Sequence, residues 1–311
     1  MQVYDSWHGL KEIHSKMVIG LGNFDGLHMG HRKLIGDLVV RAREIGGTPA
    51  VLTFTPHPMA VVDPGGAPPM LLSPGAKRKM FAGLGVEVLV LIPFNWEFAR
   101  ISPEDFVDNV LYRHLGAHTV FVGYNCTFGH MGRGTPDLLK SMGQSRGFDV
   151  EVINPVTVEG RTVSSTLIRN LLAEGDISAA RKLLGYCPLV EGEVVYGERR
   201  GNTLGFPTAN LEIDSGLLIP ADGVYSVKTG VDGDMFPGVA NIGVKPTFHD
   251  GFSRTVEVHL LDFNGDLYGK RIQVHFIRRL RGERRFPSVG ELVEQIRLDI
   301  RQARGDACAT W

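Results

Sequence analysis

The chain has few cysteines, no long apolar run and no excess of either charge, and each lack excludes a class of protein. Its three cysteines (Cys126, Cys187 and Cys308) are odd in number and far apart, which does not fit a disulfide framework or a cysteine zinc site. We therefore expect a reducing, cytoplasmic location. No apolar stretch approaches the roughly 18 residues of a membrane span, and the first residues lack an export signal, so no membrane association is expected.

The charge balance excludes a second class. The net charge is −1, from 33 Lys and Arg against 34 Asp and Glu. Cutting the chain after Tyr186 leaves two nearly neutral parts, whereas a protein that grips a nucleic-acid backbone carries a strongly basic face. We therefore expect no nucleic-acid partner. Small anionic ligands stay compatible with this balance, because a few local donors are enough to bind them.

Glycine is the residue in excess. The 39 glycines form about an eighth of the 311 residues, against about 7% in an average protein. Hydrophobic residues make up 43% of the chain, ample for packed cores, and the length is about twice that of an average domain. The sequence therefore predicts two globular domains, in which the positions of the glycines matter most.

The first part of the chain alternates apolar runs with amphipathic stretches. His31–Ile45 carries an apolar stripe at helical spacing, and Ser102 followed by a proline and two acidic residues predicts the start of another helix. This alternation predicts a Rossmann-like α/β domain, a parallel sheet doubly wound by helices, with its ligands at the carboxyl ends of the strands. Five runs are predicted strands: Lys16–Gly22, Pro49–Phe54, Val86–Phe94, Thr119–Gly123 and Asp149–Ile153.

The second part is rich in short strands. Helical patterns at Thr166–Ala173 and Ile177–Leu184 precede it, and we place the domain boundary between residues 1–186 and 187–311. A capping box at Ser288 opens a terminal helix. The pattern predicts a small antiparallel barrel or sandwich, and we choose the barrel. The six predicted strands are Glu191–Tyr196, Thr208–Ile213, Gly223–Thr229, Gly238–Val244, Thr255–Asp262 and Lys270–Phe276.

A glycine-rich stretch after the first predicted strand is the first candidate site. It reads Gly-Asn-Phe-Asp-Gly-Leu-His-Met-Gly-His over residues 22–31 and leads into a helix, whose N-terminus attracts phosphate. His28 and His31 are three residues apart and share a face of the first turn, where imidazole donors suit a phosphoryl group under attack. The alternative is that one histidine caps the helix and the other packs. Neither the Rossmann glycine motif nor a P-loop is present, and a metal site lacks a third ligand.

This stretch resembles the H-x-G-H signature of a nucleotidyltransferase superfamily, and within it the bacterial bifunctional riboflavin kinase/FAD synthetases. Three further segments match in the family's order, at residues 54–58, 123–129 and 163–169. Asn125 stands where many members carry an aspartate. Ser164 and Ser165 are predicted to cap a helix and Arg169 to reach phosphate, an ordinary cap followed by a surface arginine being the alternative. His57 suits a rigid turn as well as a ligand contact.

The resemblance implies that the first part binds ATP and transfers AMP, with His28 and His31 as its catalytic residues. Arg161 is a second candidate phosphate donor, and a solvated surface position is its alternative reading. The implied ATP-binding residues of this adenylyltransferase site are Gly22, Asn23, Phe24, Asp25, Gly26, His28, Gly30, His31, Asn125, Arg161, Ser164, Ser165, Thr166 and Arg169.

A second glycine-rich stretch, residues 197–210, holds the other candidate site. Strand alternation places Thr208 and Asn210 on one face, where their oxygens suit Mg²⁺ bound to nucleotide phosphates; a hairpin followed by a polar strand is the alternative. The stretch resembles the riboflavin kinase signature G-F-P-T-A-N. Asn202 stands where the family usually carries a basic residue, so the neighbouring Arg199 or Arg200 is expected to make the phosphate contact instead. The implied kinase ATP-binding residues are Gly197, Gly201, Gly205, Phe206, Pro207, Thr208 and Asn210, with Thr208 and Asn210 at the metal.

Glu257 is the candidate base of the second site. It lies on a predicted strand with Thr255 and His259 on its face, and an edge charge is the alternative reading. The resemblance extends through residues 238–248, 255–259 and 262–269, and implies that Glu257 takes the proton of the ribityl alcohol. The arginines between 278 and 285 are interpreted mainly as solvated surface.

Residues and resemblance together predict a bifunctional transferase. Riboflavin, FMN and ATP are its expected small-molecule partners, FAD its final product and Mg²⁺ its expected cofactor, while the sequence leaves open whether it forms a homo-oligomer. One alternative transfers a nucleotide to another phosphate acceptor, and the G-F-P-T-A-N block argues against it. A barrel that binds RNA or a protein partner is the other, and the near-neutral charge argues against that.

Overall fold

The computed structural model describes residues 1–197, 204–246 and 252–307. They form two compact units, one made of Met1–Pro68 with Pro74–Val163 and the other of Pro69–Ser73 with Ser164–Trp311. Residues 198–203 of the second glycine-rich stretch, among them Arg199, Arg200, Gly201 and Asn202, lie outside the described residues, as do Thr247, Phe248 and Cys308.

A six-stranded parallel sheet forms the first unit. The strand order is β1-β4-β3-β2-β5-β6, which confirms the predicted Rossmann-like α/β domain and its five predicted strands. β2 pairs with β3 on one side and with β5 on the other, so the strand order reverses between β2 and β5. Its strands are β1 (Gln2–Tyr4), β2 (Met17–Leu21), β3 (Thr48–Thr55), β4 (Val88–Pro93), β5 (Ala117–Gly123) and β6 (Asp149–Ile153).

Helices between the strands cover this sheet. The predicted apolar stripe of α1 is buried, and Gly46 in the left-handed conformation ends that helix. Ser102 caps α5 as predicted, with Pro103 at the first helical position, and the chain continues as a π-helix over Phe106–His114. The helices are α1 (Met29–Ile45), α2 (Pro58–Val62), α3 (Pro74–Gly83), α4 (Trp96–Ala99), α5 (Pro103–Asp105) and α6 (Pro136–Arg146).

A short hairpin ends the first unit, and two helices begin the second. The hairpin consists of β7 (Thr157–Val158) and β8 (Arg161–Thr162), and the helices are α7 (Ser165–Glu174) and α8 (Ile177–Leu184). By their contacts these helices belong with the barrel, whereas the boundary expected between the two functions lies after Tyr186. That functional boundary stays a prediction.

A segment from early in the chain also belongs to the second unit. Pro69–Ser73 pairs through Met70, whose N–H donates to the Gly216 carbonyl and whose own carbonyl accepts from the Leu218 N–H. Ser73 donates to the buried Glu191 carboxylate of the barrel. The second unit is therefore discontinuous in sequence.

The barrel closes in the order β10-β13-β12-β11-β14-β9, with antiparallel neighbours throughout. This confirms the predicted barrel. α9 (Val289–Ala307) follows, and the Glu291 N–H donates to Ser288 Oγ as the capping box predicts. The strands are β9 (Leu189–Val195), β10 (Ala209–Ile213), β11 (Gly223–Val231), β12 (Asp234–Pro246), β13 (Phe252–Leu260) and β14 (Arg271–Arg281).

Candidate active sites

The first candidate site, here called the phosphate loop (residues 22–28), joins β2 to α1. It lies at the carboxyl end of β2, beside the point where the strand order of the sheet reverses. Such a switch point opens a crevice between neighbouring loops, and it is where open α/β sheets bind their ligands. The topology therefore places the predicted nucleotide loop where this class of fold binds nucleotides.

The phosphate loop adopts an unusual backbone. Phe24, Gly26 and Leu27 have φ values of 49°, 79° and 37°, the left-handed region that only glycine enters without cost. Phe24 and Leu27 are buried, and the Phe24 ring packs edge-on against His31 and Phe81. Burial of these two apolar side chains offsets the strain and holds the loop in one conformation.

The two histidines stack on each other at the start of α1. Their ring centroids are 3.6 Å apart, and the His31 N–H donates to Nδ1 of His28 at 3.3 Å, so His28 caps the helix. Because Nδ1 accepts, the neutral ring carries its proton on Nε2. Burial lowers the pKa of His28 to about 4, and it lowers the pKa of His31 well below the usual value, helped by His28 and Lys77. Both rings are therefore neutral at pH 7.

Gly30 lets the His28 ring approach the helix. A Cβ at this position would lie 3.2 Å from Cε1 and 3.3 Å from Nδ1 of His28, closer than most real contacts. Nδ1 of His31 is buried and has no hydrogen-bond partner among the described residues. The loop thus presents two closely packed imidazoles. Nδ1 of His31 is a buried polar atom available for a hydrogen bond with a ligand or water.

Lys77 is a site residue that sequence reasoning missed. It lies on α3, buried with Ala76 and Phe81 on one helix face, and its Nζ donates to the Asn23 carbonyl and, at 3.2 Å, to Thr53 Oγ1. Burial lowers its pKa to about 8, against the opposing effect of Asp25. A lysine within an apolar helix stripe was the signal in the sequence.

The other predicted residues of the first site fall into two groups. Asn125 follows β5 and is exposed, and Arg161 is exposed on β8, both within the first unit. Ser164, Ser165, Thr166 and Arg169 begin the second unit.

Ser164 and Arg169 make defined contacts there. Ser164 caps α7 by accepting the Leu167 N–H at 3.2 Å, as expected, and Arg169 Nε donates to the Pro69 carbonyl at 2.8 Å. His57 takes up a structural contact, since its Nδ1 accepts the Met59 N–H at the start of α2.

A cavity of about 420 Å³ on the second unit is the second candidate site. It lies between the outer face of the barrel and α9. Its volume falls within the range of small-molecule pockets, about 300 to 1,000 Å³. Aromatic and aliphatic side chains share its wall with polar ones, among them Phe206, Phe286, Leu292, Ile296, Thr208, Asn241, Glu257 and His259. Sequence reasoning placed His259 on the face of Glu257 without assigning it a role, and it missed Asn241 and the contribution of α9.

Glu257 lies in the wall of this cavity. On β13 it pairs in register with Asn210 of β10 on one side and with Asn241 of β12 on the other. Its neighbours Val256 and Val258 are fully buried in the barrel, so Glu257 points to the outer face. The register therefore sets the Glu257 carboxylate between two amides, of which Asn241 lines the cavity.

The predicted nucleotide stretch lines the same region. His259 Nδ1 donates to the Pro207 carbonyl at 2.7 Å, which holds the segment before β10 against β13. A Cβ on Gly197 would lie 2.2 to 2.8 Å from the Asn210 amide, so only glycine permits that approach. Gly205 is left-handed, with φ 84°.

The expected metal position is defined by side-chain oxygen donors. Among the described residues, no three His, Cys, Asp or Glu side chains are grouped to hold a metal ion. A hydroxyl from Thr208, an amide oxygen from Asn210 and the nearby Glu257 carboxylate are hard donors. Mg²⁺ is commonly held by one or two protein oxygens together with substrate phosphates, so this donor set fits it.

A buried ion pair fixes α9 beside the cavity. Arg281 donates from Nη2 to Asp299 Oδ2 at 2.9 Å, and Gln295 donates to the other carboxylate oxygen at 2.8 Å. Asp299 is fully buried, so its charge is compensated where it meets the cavity wall. The arginine run interpreted from the sequence mainly as solvated surface thus contains a partly buried member in Arg281, whose side chain is 19% exposed.

Comparison with known proteins gives each unit a counterpart. A family model described as FAD synthetase matches residues 10–167, and one described as riboflavin kinase matches residues 184–306. A protein from Bacillus subtilis named bifunctional riboflavin kinase/FMN adenylyltransferase is 38% identical over 299 residues, covering 95% of this chain and 94% of that protein. The chain belongs to the bifunctional riboflavin kinase/FMN adenylyltransferase family.

Other members of this family are similar over nearly their whole length. Relatives of the same name from Pseudomonas fluorescens and Escherichia coli are 38% and 37% identical, with 98% and 92% of this chain covered and 97% and 91% of theirs. A crystal structure from Streptococcus pneumoniae, described as a macrolide-efflux protein, matches with a TM-score of 0.85 and 32% identity over 93% of this chain and 94% of that one. Among the described residues, no helix combines the length and apolar character of a membrane crossing.

Proposed function

We propose that this chain phosphorylates riboflavin with ATP to FMN at the barrel cavity and transfers AMP from a second ATP to FMN at the phosphate loop, releasing FAD and pyrophosphate. The observation that carries this proposal is that two chemically different sites, a histidine pair and a carboxylate cavity, each fall within their own family model. Incubating the purified protein with riboflavin, ATP and Mg²⁺ should yield FMN and then FAD on chromatography. Unaltered riboflavin would contradict the proposal.

The kinase step requires a base. The primary alcohol of riboflavin is too weakly acidic to attack phosphate unaided. Of the carboxylates that line the cavity we assign Glu257 to take its proton, since Asp299 is paired with Arg281. The apolar wall formed by Phe206, Phe286, Leu292 and Ile296 suits a flat aromatic ring. Holding the ring there directs the attached alcohol toward Glu257, so positioning supplies much of the rate.

Thr208 and Asn210 would hold the Mg²⁺ of the kinase nucleotide. Bound there, the ion neutralises charge on the phosphates during transfer. Gly197 lies against the Asn210 amide and fixes its position, and the register pairing places Asn210 beside Glu257. Metal and base are thereby kept on the same face of the barrel.

Replacing Asn210 by alanine should raise the Mg²⁺ concentration needed for half-maximal FMN formation, by roughly 10-fold, because one oxygen ligand is lost. The measurement is a metal titration of the kinase step. The Mg²⁺ titration of FAD formation from supplied FMN serves as the internal control and should not change. An unchanged kinase titration would remove Asn210 from the metal's coordination.

The adenylylation step requires no base. The attacking FMN phosphate is already an anion, so the site must orient it and stabilise the charge that develops on the α-phosphate. Neutral His28 offers its Nε2–H for this purpose, and His31 lies stacked against it. Asn125, Arg161, Ser164 and Arg169 are proposed as further donors to the nucleotide.

Gly30 gives a narrow test of the histidine geometry. Gly30→Ala should reduce FAD formation by roughly 10- to 100-fold, because the new Cβ displaces the His28 ring and small displacements of catalytic groups cost rate. Gly36→Ala on the same helix meets nothing within 4 Å and should leave both activities intact. Equal effects of the two substitutions would show that the ring position does not matter.

Two assignments stay predictions under this function. We place the boundary between the two activities after Tyr186, close to where the riboflavin kinase model begins at residue 184. The cytoplasmic location likewise rests on the cysteine content of the sequence.

A further inference from the structure

We propose that Lys77 is a positioning residue of the adenylylation site, which holds the phosphate loop by its Asn23 carbonyl and compensates the buried carboxylate of Asp25 so that the loop accepts a triphosphate. This inference rests on the adenylylation function proposed above. It concerns a residue on α3, more than 45 positions after the loop in sequence.

One carbonyl of the phosphate loop accepts hydrogen bonds from two other elements. Lys77 Nζ donates to the Asn23 carbonyl, and Thr53 Oγ1 donates to the same oxygen at 3.2 Å. Lys77 and Thr53 also bond each other at 3.2 Å. Two different elements, α3 and β3, therefore hold the loop at a single atom.

Fixing this carbonyl also aims the next N–H. A trans peptide places its C=O and N–H on opposite sides, so an Asn23 carbonyl held toward Lys77 directs the Phe24 N–H away from it. Phe24 is held in the left-handed conformation with its ring buried. Lys77 and Thr53 thus hold the Asn23 carbonyl of the phosphate loop, and the buried ring of Phe24 holds the next residue of the loop.

The charge of Lys77 also acts on the phosphate loop, through Asp25. Asp25 is buried within the loop and interacts electrostatically with Lys77. The histidines do not compensate it, because burial lowers the pKa of both and leaves them neutral at pH 7. Lys77, with a pKa of about 8, is mostly protonated there. Among the described contacts of Asp25, Lys77 is therefore a cation that balances its charge beside the expected triphosphate.

The burial of the Lys77 charge argues against a role in packing alone. Lys77 is 8% exposed, and burial opposes its charge. An apolar side chain would fill the same space without that desolvation cost. The neighbouring Arg78 and Lys79 of α3 are exposed, and the titratable groups that face Lys77 are Asp25 and His31. The charge of Lys77 is thus directed at the loop.

The test compares Lys77→Met with two further variants in steady-state FAD formation from supplied FMN. Lys77→Met should raise the KM for ATP by about 10- to 100-fold at pH 7, the size of a lost charged hydrogen bond. Thr53→Val removes a bond to the same carbonyl but no charge, and should have a smaller effect. Asp25→Asn combined with Lys77→Met should recover part of the ATP affinity, which a purely structural role would not. The thermal unfolding of each variant, compared with that of the wild-type protein, reports on its folding.

A pH series adds an independent readout. The KM of the wild-type protein for ATP should rise between pH 7 and pH 9 as Lys77 loses its proton, and this rise should be absent in Lys77→Met. An unchanged KM for ATP in Lys77→Met would contradict the role of Lys77 and leave the proposed function standing. The same holds if the double variant shows no recovery and the wild-type KM for ATP does not change between pH 7 and pH 9. Failure of the wild-type protein to form FAD would overturn the proposed function and this inference together.

Discussion

Replacing His28 or His31 by alanine should abolish FAD formation and leave the conversion of riboflavin to FMN intact. Each substitution removes an imidazole from the stacked pair, and His28→Ala also removes the cap of α1. Loss of one such donor costs about 10²- to 10³-fold in rate in comparable sites. The measurement follows FMN and FAD separately, with riboflavin and FMN supplied in parallel assays.

A histidine outside the phosphate loop provides the control. His118 lies on β5 of the same unit and is partly buried, with its Nδ1 near Thr119 Oγ1. His118→Ala should preserve both activities. If His28→Ala or His31→Ala lowered FMN formation as much as FAD formation, the assignment of separate sites would be wrong.

Replacing Glu257 by alanine should have the reverse effect. FMN formation should fall by about 10²- to 10⁴-fold, the contribution of a positioned general base, while FAD formation from supplied FMN continues. The physical reason is that the riboflavin alcohol then lacks the carboxylate assigned to take its proton, while Asp299 in the same wall is paired with Arg281. The rate of ADP release in the presence of riboflavin measures the loss.

Glu212 is the matched control for this experiment. It lies on β10, beside β13, but is exposed and does not line the cavity. Glu212→Ala should leave the rates of both steps unchanged. Persistence of FMN formation in Glu257→Ala would exclude Glu257 as the base.

Periodicity in the sequence was enough to predict most of the fold. The stripe of α1 and the alternation on β13 repeat at helical and strand spacing, and the structure confirms both elements. Helix caps could be predicted equally well, since Ser102 and Ser164 cap the helices that follow them. These features depend on residues close together in the chain.

Features that depend on distant residues could not be predicted. β1 has only three residues and no pattern of its own, and it is defined by pairing with β4. Pro69–Ser73 belongs with the barrel because of contacts with residues around 191 and 217. Local sequence patterns contain no information on such pairings.

The candidate sites show the same division. The sequence left two readings of His28, a helix cap or a group at the phosphate, and the structure shows that its Nδ1 caps the helix while Nε2 carries the proton. Lys77 was not predicted as a site residue, because its role depends on a hydrogen bond to the Asn23 carbonyl, which is distant in sequence. The same holds for Asp299, whose partner Arg281 comes from a different element.

Two independent active sites on one chain are the central claim, and complementation tests it most directly. Glu257→Ala and His28→Ala proteins should each fail to convert riboflavin to FAD, the first for want of FMN and the second for want of adenylylation. Mixed together with ATP and Mg²⁺, they should restore FAD, because FMN made by one variant is adenylylated by the other. A mixture that forms no FAD, although each variant performs its remaining half-reaction, would contradict the account.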